Sequence, residues 1–131
     1  MLQIDDTKNL PIYEQLVLKI KELCLLGVLK PGEKLPSVRE LSAMLIVNPN
    51  TVSKAYQELE RQGIIETRQG KGTFVAQFQR AGPDERKKAE LREKIKRLAI
   101  DAIYAGLSLE EVKSWIEEEF NRLGGKQDAG S

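Results

Sequence analysis

The sequence predicts a mainly α-helical chain with one small β-ribbon, on three observations. Two short helical patterns, each with its own start signal, follow one another from Ser37 to Gln62 with barely a break. Two short β-branched segments come next, joined by Gln69-Gly70-Lys71-Gly72. After Gly82-Pro83, two further amphipathic helical patterns are split by Gly106. Helix, turn, helix and ribbon in that order describe a winged helix-turn-helix, whose second helix enters a DNA major groove. The expected organisation is a winged helix-turn-helix domain over 1–77, an antiparallel two-helix dimerisation region over 78–123, and a disordered tail over 124–131.

Each element has a local reason. Pro11 suits the first turn of a helix, where its missing N–H has no partner to lose. Tyr13, Leu16, Val17, Ile20 and Cys24 then recur at helical spacing, and Gly27 ends the pattern. Pro31-Gly32 makes a turn, and Lys34-Leu35 runs extended into Pro36. The second helix opens with a capping box, Ser37 with Glu40, and is expected to turn Val38, Leu41, Met44 and Leu45 inward before stopping near Ile46-Val47. Asn48 caps the third helix, Pro49 takes its first position, and Gly63 terminates it after Gln62. Ile64–Arg68 and Thr73–Ala76 read as strands. Asp84–Ala105 is a long helix with an apolar stripe at Leu91, Ile95, Leu98 and Ala102. Ser108 and Glu111 form a second capping box before a stripe at Leu109, Val112, Ile116, Phe120 and Leu123. From Gly124 the residues are small and polar, as in a frayed tail or an expression scar.

Composition excludes more than it identifies. The 131 residues are 40% hydrophobic and 31% charged, with 21 basic against 20 acidic side chains. The net charge of +1 announces no nucleic-acid partner, and the halves differ little: +2 through Arg80 and −1 beyond it. Any basic footprint must be local. With one cysteine and no histidine, a disulfide framework, a zinc finger and His-based catalysis are excluded within a chain. Cys24 reads as a buried structural thiol in preference to a redox sensor. No segment resembles a membrane span or a signal peptide, so a cytoplasmic location is expected. Nothing calls for a cofactor or a metal.

The third helix has two faces. Val52, Ala55, Tyr56 and Leu59 fall on one, suited to packing. Asn50, Lys54, Gln57 and Arg61 fall on the other, and amides and cations there are the groups that read base edges and hold phosphates. One such helix alone would read as an ordinary solvated face; the capped helix before it and the basic ribbon after it change the balance. Recognition helices present their N-terminal end to bases, and here that end holds Asn48, Asn50, Thr51 and Ser53. Asn48 is the better cap, Asn50 and Ser53 the better contacts. Arg39 is placed for a phosphate, or is simply solvated. At the ribbon, Arg68, Gln69, Lys71 and Thr73 surround Gly70 and Gly72. Those glycines serve a tight turn and equally let backbone approach DNA closely.

These linked motifs, PGEKLPSVRELSAMLIVNPNTVSKAYQELERQGIIETRQGKGTFV, resemble the DNA-binding domain of the GntR family of bacterial transcription regulators over about the first half of the chain. The VNPNTV…AY…LE…G form is similar to two branches, the YtrA-type repressors and the MocR-type regulators fused to an aminotransferase-like domain; the short helical tail resembles the first. The resemblance implies DNA contacts at Arg39, the Asn48–Asn50 turn, Ser53 or Lys54, and the wing at Gln69 and Gly70. It further implies repression of a nearby operon, such as a transporter operon. Pro49 and Ser53 stand where the commoner family pattern carries arginines, so the usual operator preference does not transfer.

The C-terminal helix pair, nearly fifty residues, is too small to bury a core of its own. Its stripes must pack on each other and then on the first domain or a second chain. Helix-helix dimerisation is expected through Leu91, Ile95, Leu98, Ile103, Val112, Trp115, Ile116 and Phe120, with Trp115 at the rim. A symmetric dimer would present two recognition helices to palindromic double-stranded DNA. A small-molecule effector in the dimer crevice stays open, without support. Three competing readings stand beside this one. A protein-binding winged helix would show no salt-dependent affinity for DNA. The regulator part of a MocR-type protein would carry a large extension with a Schiff-base lysine. An enzyme would need a nucleophile-base pair that the chain does not offer.

Overall fold

The computed structural model describes residues 2–5, 9–77, 82 and 84–124. Its element order is α1 (Ile12–Leu25), α2 (Val38–Leu45), α3 (Pro49–Arg61), β1 (Ile65–Arg68), β2 (Gly72–Val75), α4 (Glu85–Tyr104) and α5 (Leu109–Arg122). The chain forms two compact units, Met1–Phe78 and Gln79–Ser131. Mainly helical structure with a hairpin after the third helix and two C-terminal helices is the predicted fold class. The tail from 125 on lies outside the described residues.

The first unit is built around α3. Val52, Ala55 and Leu59 are fully buried and Tyr56 nearly so, against Leu16, Val17 and Ile20 of α1, Leu41 of α2, and Ile64, Ile65 and Val75 of the hairpin. Leu23 of α1 is buried as well, while Tyr13 and Cys24 pack at the edge. Burial pushes the Cys24 thiol above its ordinary pKa, with Glu33 adding to the effect, so the reactive thiolate is disfavoured. Pro11 is the N-cap of α1 rather than part of its first turn. The side chain of Gln15 ties down the preceding segment, donating to the carbonyls of Asp5 (2.7 Å) and Leu10 (2.9 Å) and accepting from the Asp5 N–H.

The helix-turn-helix follows its caps. Both hydrogen bonds of the Ser37–Glu40 capping box are made, and Asn48 Oδ1 accepts the Asn50 N–H at 2.8 Å. One expectation fails here: Met44 does not point inward but is 68% exposed. The buried face of α2 is centred on Val38, Leu41, Ser42 and Leu45, and Met44 lies roughly 100° around the helix from that centre at 3.6 residues per turn. The helix ends at Ile46, in the left-handed conformation (φ 56°, ψ 52°) and 90% exposed, a backbone state costly for a β-branched residue.

The hairpin pairs Ile65 with Val75 and Arg68 with Gly72 in antiparallel register. A further edge, expected only as extended chain, joins it. Lys34 bridges to Phe74, and three backbone bonds of 2.8 Å run between the 32–35 segment and β2: Gly32 N–H to Val75, Val75 N–H to Glu33, and Leu35 N–H to Thr73. Strand alternation then puts Leu35, Ile65 and Val75 on the core and Lys34, Glu66 and Phe74 on the outer face.

In the second unit Asp84 caps α4 and the Ser108–Glu111 box caps α5. The stripes face each other but cover each other only in part, as expected of a pair too small for a core of its own. Ala102 is the one buried apolar residue of the two helices, with Val112 half-buried beside it. Leu98, Trp115, Ile116 and Phe120 remain exposed around a shared apolar groove of about 560 Å³. Two helices offer too little surface to cover both stripes.

Candidate nucleic-acid interface

The outward face of α3 carries Asn50, Lys54 and Gln57, all exposed, with Ser53 and Thr51 at its margin. From Pro49 to Gln57 the helix itself carries no carboxylate over its first two turns. Side chains prepare this face. Gln57 Nε2 reaches Ser53 Oγ at 3.5 Å, linking two successive turns. The Lys54 ammonium stands 4.0 Å from the centre of the Tyr13 ring, a cation–π contact that fixes a long side chain at the helix surface. Burial and the neighbouring Glu14 raise the Tyr13 pKa, so the phenol stays neutral under that cation. Asn50, Thr51 and Lys54 share a shallow pocket of about 380 Å³ with Pro11, Ile12 and Tyr13, at the N-terminal ends of two helices. Arg61, further along, is bound by Glu58 through Nε at 3.0 Å.

The start of α2 is anchored from beneath. The Tyr56 hydroxyl donates to the Pro36 carbonyl at 2.7 Å, one residue before the Ser37 cap. Burial, with Glu40 secondary, pushes the Tyr56 pKa up to about 12, so this donor keeps its proton. Arg39 stands exposed in the first turn of α2, and its carbonyl accepts the Ser42 hydroxyl at 3.0 Å.

At the wing, Gln69, Gly70 and Lys71 form the exposed tip, closed by the Lys71 N–H to the Arg68 carbonyl at 2.9 Å. Gly70 has φ 77°, which glycine alone adopts without strain. Thr73 is half-buried, less open than the tip. Arg68 is engaged within the ribbon: Nε donates to Glu66 at 3.0 Å and the guanidinium lies 4.3 Å from the Phe74 ring centre. The sequence placed Lys34 only in extended chain before Pro36. Its side chain crosses Gly72 on the outer face, where a Cβ would stand 2.9 Å from Lys34 Cε. The signal was present, since Lys34 alternates with the buried Leu35, but it needed the pairing with β2 to acquire meaning.

Among the described residues no His, Cys, Asp and Glu group is arranged to hold a metal ion, and no helix is long and apolar enough to cross a membrane.

Comparison with known proteins gives this geometry a family. Residues 12–75 match the model of the bacterial regulatory proteins of the gntR family, which spans α1 to β2. The chain is 52% identical over 129 residues to the HTH-type transcriptional repressor YtrA of Bacillus subtilis, covering 98% of this chain and 99% of that one. Among solved structures it is similar to a transcriptional antiterminator from Listeria monocytogenes EGD-e (TM-score 0.84, 47% identity, covering 94% of this chain and 92% of that one). It is also similar to YtrA from Sulfolobus acidocaldarius, a GntR-family transcription factor (TM-score 0.62, 38% identity, covering 76% and 97%). The match to the Bacillus subtilis repressor covers 98% of this chain and so takes in the C-terminal helices, and the likeness is not confined to the DNA-binding half. A capped helix-turn-helix with its wing, continued into this helix pair, makes the chain a DNA-binding transcriptional regulator that belongs to the GntR family.

Proposed function

We propose that this protein is a homodimeric repressor that binds a palindromic operator near its own gene. The observation that carries the reading is the face of α3: amides, hydroxyls and the ammonium of Lys54 stand outward over two turns without a carboxylate. In this reading Asn50 and Ser53 contact base edges, with Gln57 linked behind Ser53. Asn48 and Thr51 hold the helix start, and Lys54, Arg39 and Lys71 meet phosphates. Gln69 and Gly70 bring the wing tip to the minor groove, and Arg68 and Thr73 shape the ribbon beneath it.

The apolar groove of α4 and α5 supplies the second copy. Leu98, Val112, Trp115, Ile116 and Phe120 line it, with Leu91, Ile95 and Ile103 exposed along α4. A contiguous apolar surface of this kind is costly to leave in water, and a two-fold partner covers it with the same surface. Dimerisation sets two α3 helices at a fixed spacing on one face of DNA.

Selection of bound sequences from a random duplex pool, with the bound species sized, tests the reading. The expected result is a two-fold symmetric consensus held by two chains, with affinity falling steeply as salt rises. Absence of enrichment, or binding indifferent to salt, would overturn it.

A further inference from the structure

The outer face of the wing holds a cation that no sequence motif singled out. Lys34 enters the ribbon through its bridge to Phe74, so its side chain shares a face with Phe74, Glu66 and the Arg68–Gly72 pair. It does not extend straight outward but runs along the ribbon over Gly72. Gly72 has φ 121°, and any Cβ there would meet Lys34 Cε at 2.9 Å and the ammonium nitrogen at 3.6 Å. The lysine stem therefore lies in the space that Gly72 leaves open beside the turn. At the other end, Lys34 is one of the charges that hold the Glu40 carboxyl low, after the hydrogen bonds from Ser37. Along the chain, the residue that pairs with the wing thus leads directly into the Ser37 cap of α2, whose first turn carries Arg39.

The neighbouring cations differ in what they already hold. Arg68 is paired with Glu66 and stacked on Phe74, and Lys54 is seated on Tyr13. Lys34 is exposed and forms no ion pair within the described residues. A surface cation routed over a glycine and outside any ion pair is a ready phosphate partner.

We propose that Lys34 is a DNA-backbone contact of the wing, bridging the phosphate track from the hairpin tip to the start of α2. This rests on the reading of the chain as a DNA-binding regulator. As a backbone contact Lys34 sets affinity and register, and it is indifferent to base sequence.

The test compares the full chain with Lys34→Gln and Lys34→Arg. Affinities are measured by fluorescence anisotropy on a selected operator and on an unrelated duplex of equal length, across a salt series. Lys34→Gln keeps a stem over Gly72 and removes the charge. It should weaken both duplexes by the same factor, roughly eightfold per protomer engaged at about 0.1 M salt. The slope of log affinity against log salt should become shallower by about 1 per protomer. Lys34→Arg should restore both, and the melting temperature should not move in either variant. An unchanged slope in Lys34→Gln, with the unaltered chain binding DNA normally, would overturn the proposal, as would a loss confined to one duplex. An unaltered chain that binds neither duplex would instead overturn the reading on which the proposal rests.

Discussion

The two units spend the same sequence device differently. In α3 the apolar residues at helical spacing, Val52, Ala55, Tyr56 and Leu59, are all buried within their own unit. In α4 and α5 equally regular stripes leave only Ala102 buried, and Phe120 is 63% exposed. Periodicity states which residues share a face; it does not state whether the same chain covers that face. Three layers in the first unit (α1, α2 and the hairpin) close on α3, whereas α4 and α5 of the second leave an apolar groove between them. The first unit thus has a closed core, and the second leaves most of its apolar stripes exposed.

That difference can be broken most directly by removing apolar atoms from each side of it. Leu59 is fully buried, and Leu59→Ala should lower unfolding free energy by about 2–5 kcal/mol, read as an earlier urea midpoint. Ile116→Asp, in the exposed groove, should leave that midpoint of the first unit in place and halve the particle mass in sedimentation. A dimer that survives the aspartate would place the interface elsewhere. Loss of the first unit's stability in the same variant would show that the two units share one core.

How much of this was legible before the structure follows the same division. Caps are local, and Ser37, Asn48 and Ser108 all act where the sequence places them, whereas Asp84, read as the first residue of its helix, is its cap. The packing face of α3 was equally plain, because thirteen residues sample the helical period several times. Met44 was misplaced because an eight-residue helix samples it only twice, so the stripe's centre is poorly fixed. Lys34 could be placed on the outer face by its alternation with Leu35, but its pairing with β2, about forty residues away, could not, because no local pattern specifies that partner. The candidate DNA face was readable as chemistry. Its supports, Tyr13 beneath Lys54 and Phe74 beneath Arg68, were not, since both contacts join separate elements.

A smaller effect sharpens what the first unit's core does for its reading end. Tyr56 reaches from α3 to the Pro36 carbonyl and so fixes the entry to α2. Tyr56→Phe removes that donor at a cost of about 1 kcal/mol. The pH dependence has a definite sign. Folding raises this phenol to about 12 by favouring its neutral form, so its contribution is complete below the ordinary tyrosine value of 10.0. It is lost as pH rises from there through about 12, because the unfolded phenol ionises first. Urea midpoints from neutral pH to about 12 should therefore show the two proteins converging at the alkaline end. Parallel curves would mean that Tyr56 is not the group being titrated.

The smallest contrast uses one motif in both regions. The boxes at Ser37–Glu40 and Ser108–Glu111 are chemically identical, though the first is tighter: the Glu40 N–H reaches Ser37 Oγ at 3.0 Å, and the Glu111 N–H reaches Ser108 Oγ at 3.2 Å. In the first, the Ser37 N–H and then its hydroxyl hold the Glu40 carboxyl below its ordinary value of 4.5. That contribution is present above 4.5 and fades as pH falls below it, through the lowered pKa of the fold. Ser37→Ala should cost about 1 kcal/mol in the cooperative unfolding of the first unit, because α2 is docked on the core. Ser108→Ala removes the same cap from a helix with no buried residue of its own. Its loss should fray the first turn of α5, seen as faster amide exchange there, while the first unit's midpoint moves by no more than a few tenths of a kcal/mol. Equal shifts of that midpoint in the two variants would mean that the helix pair unfolds with the core, and the contrast between the units would fall with it.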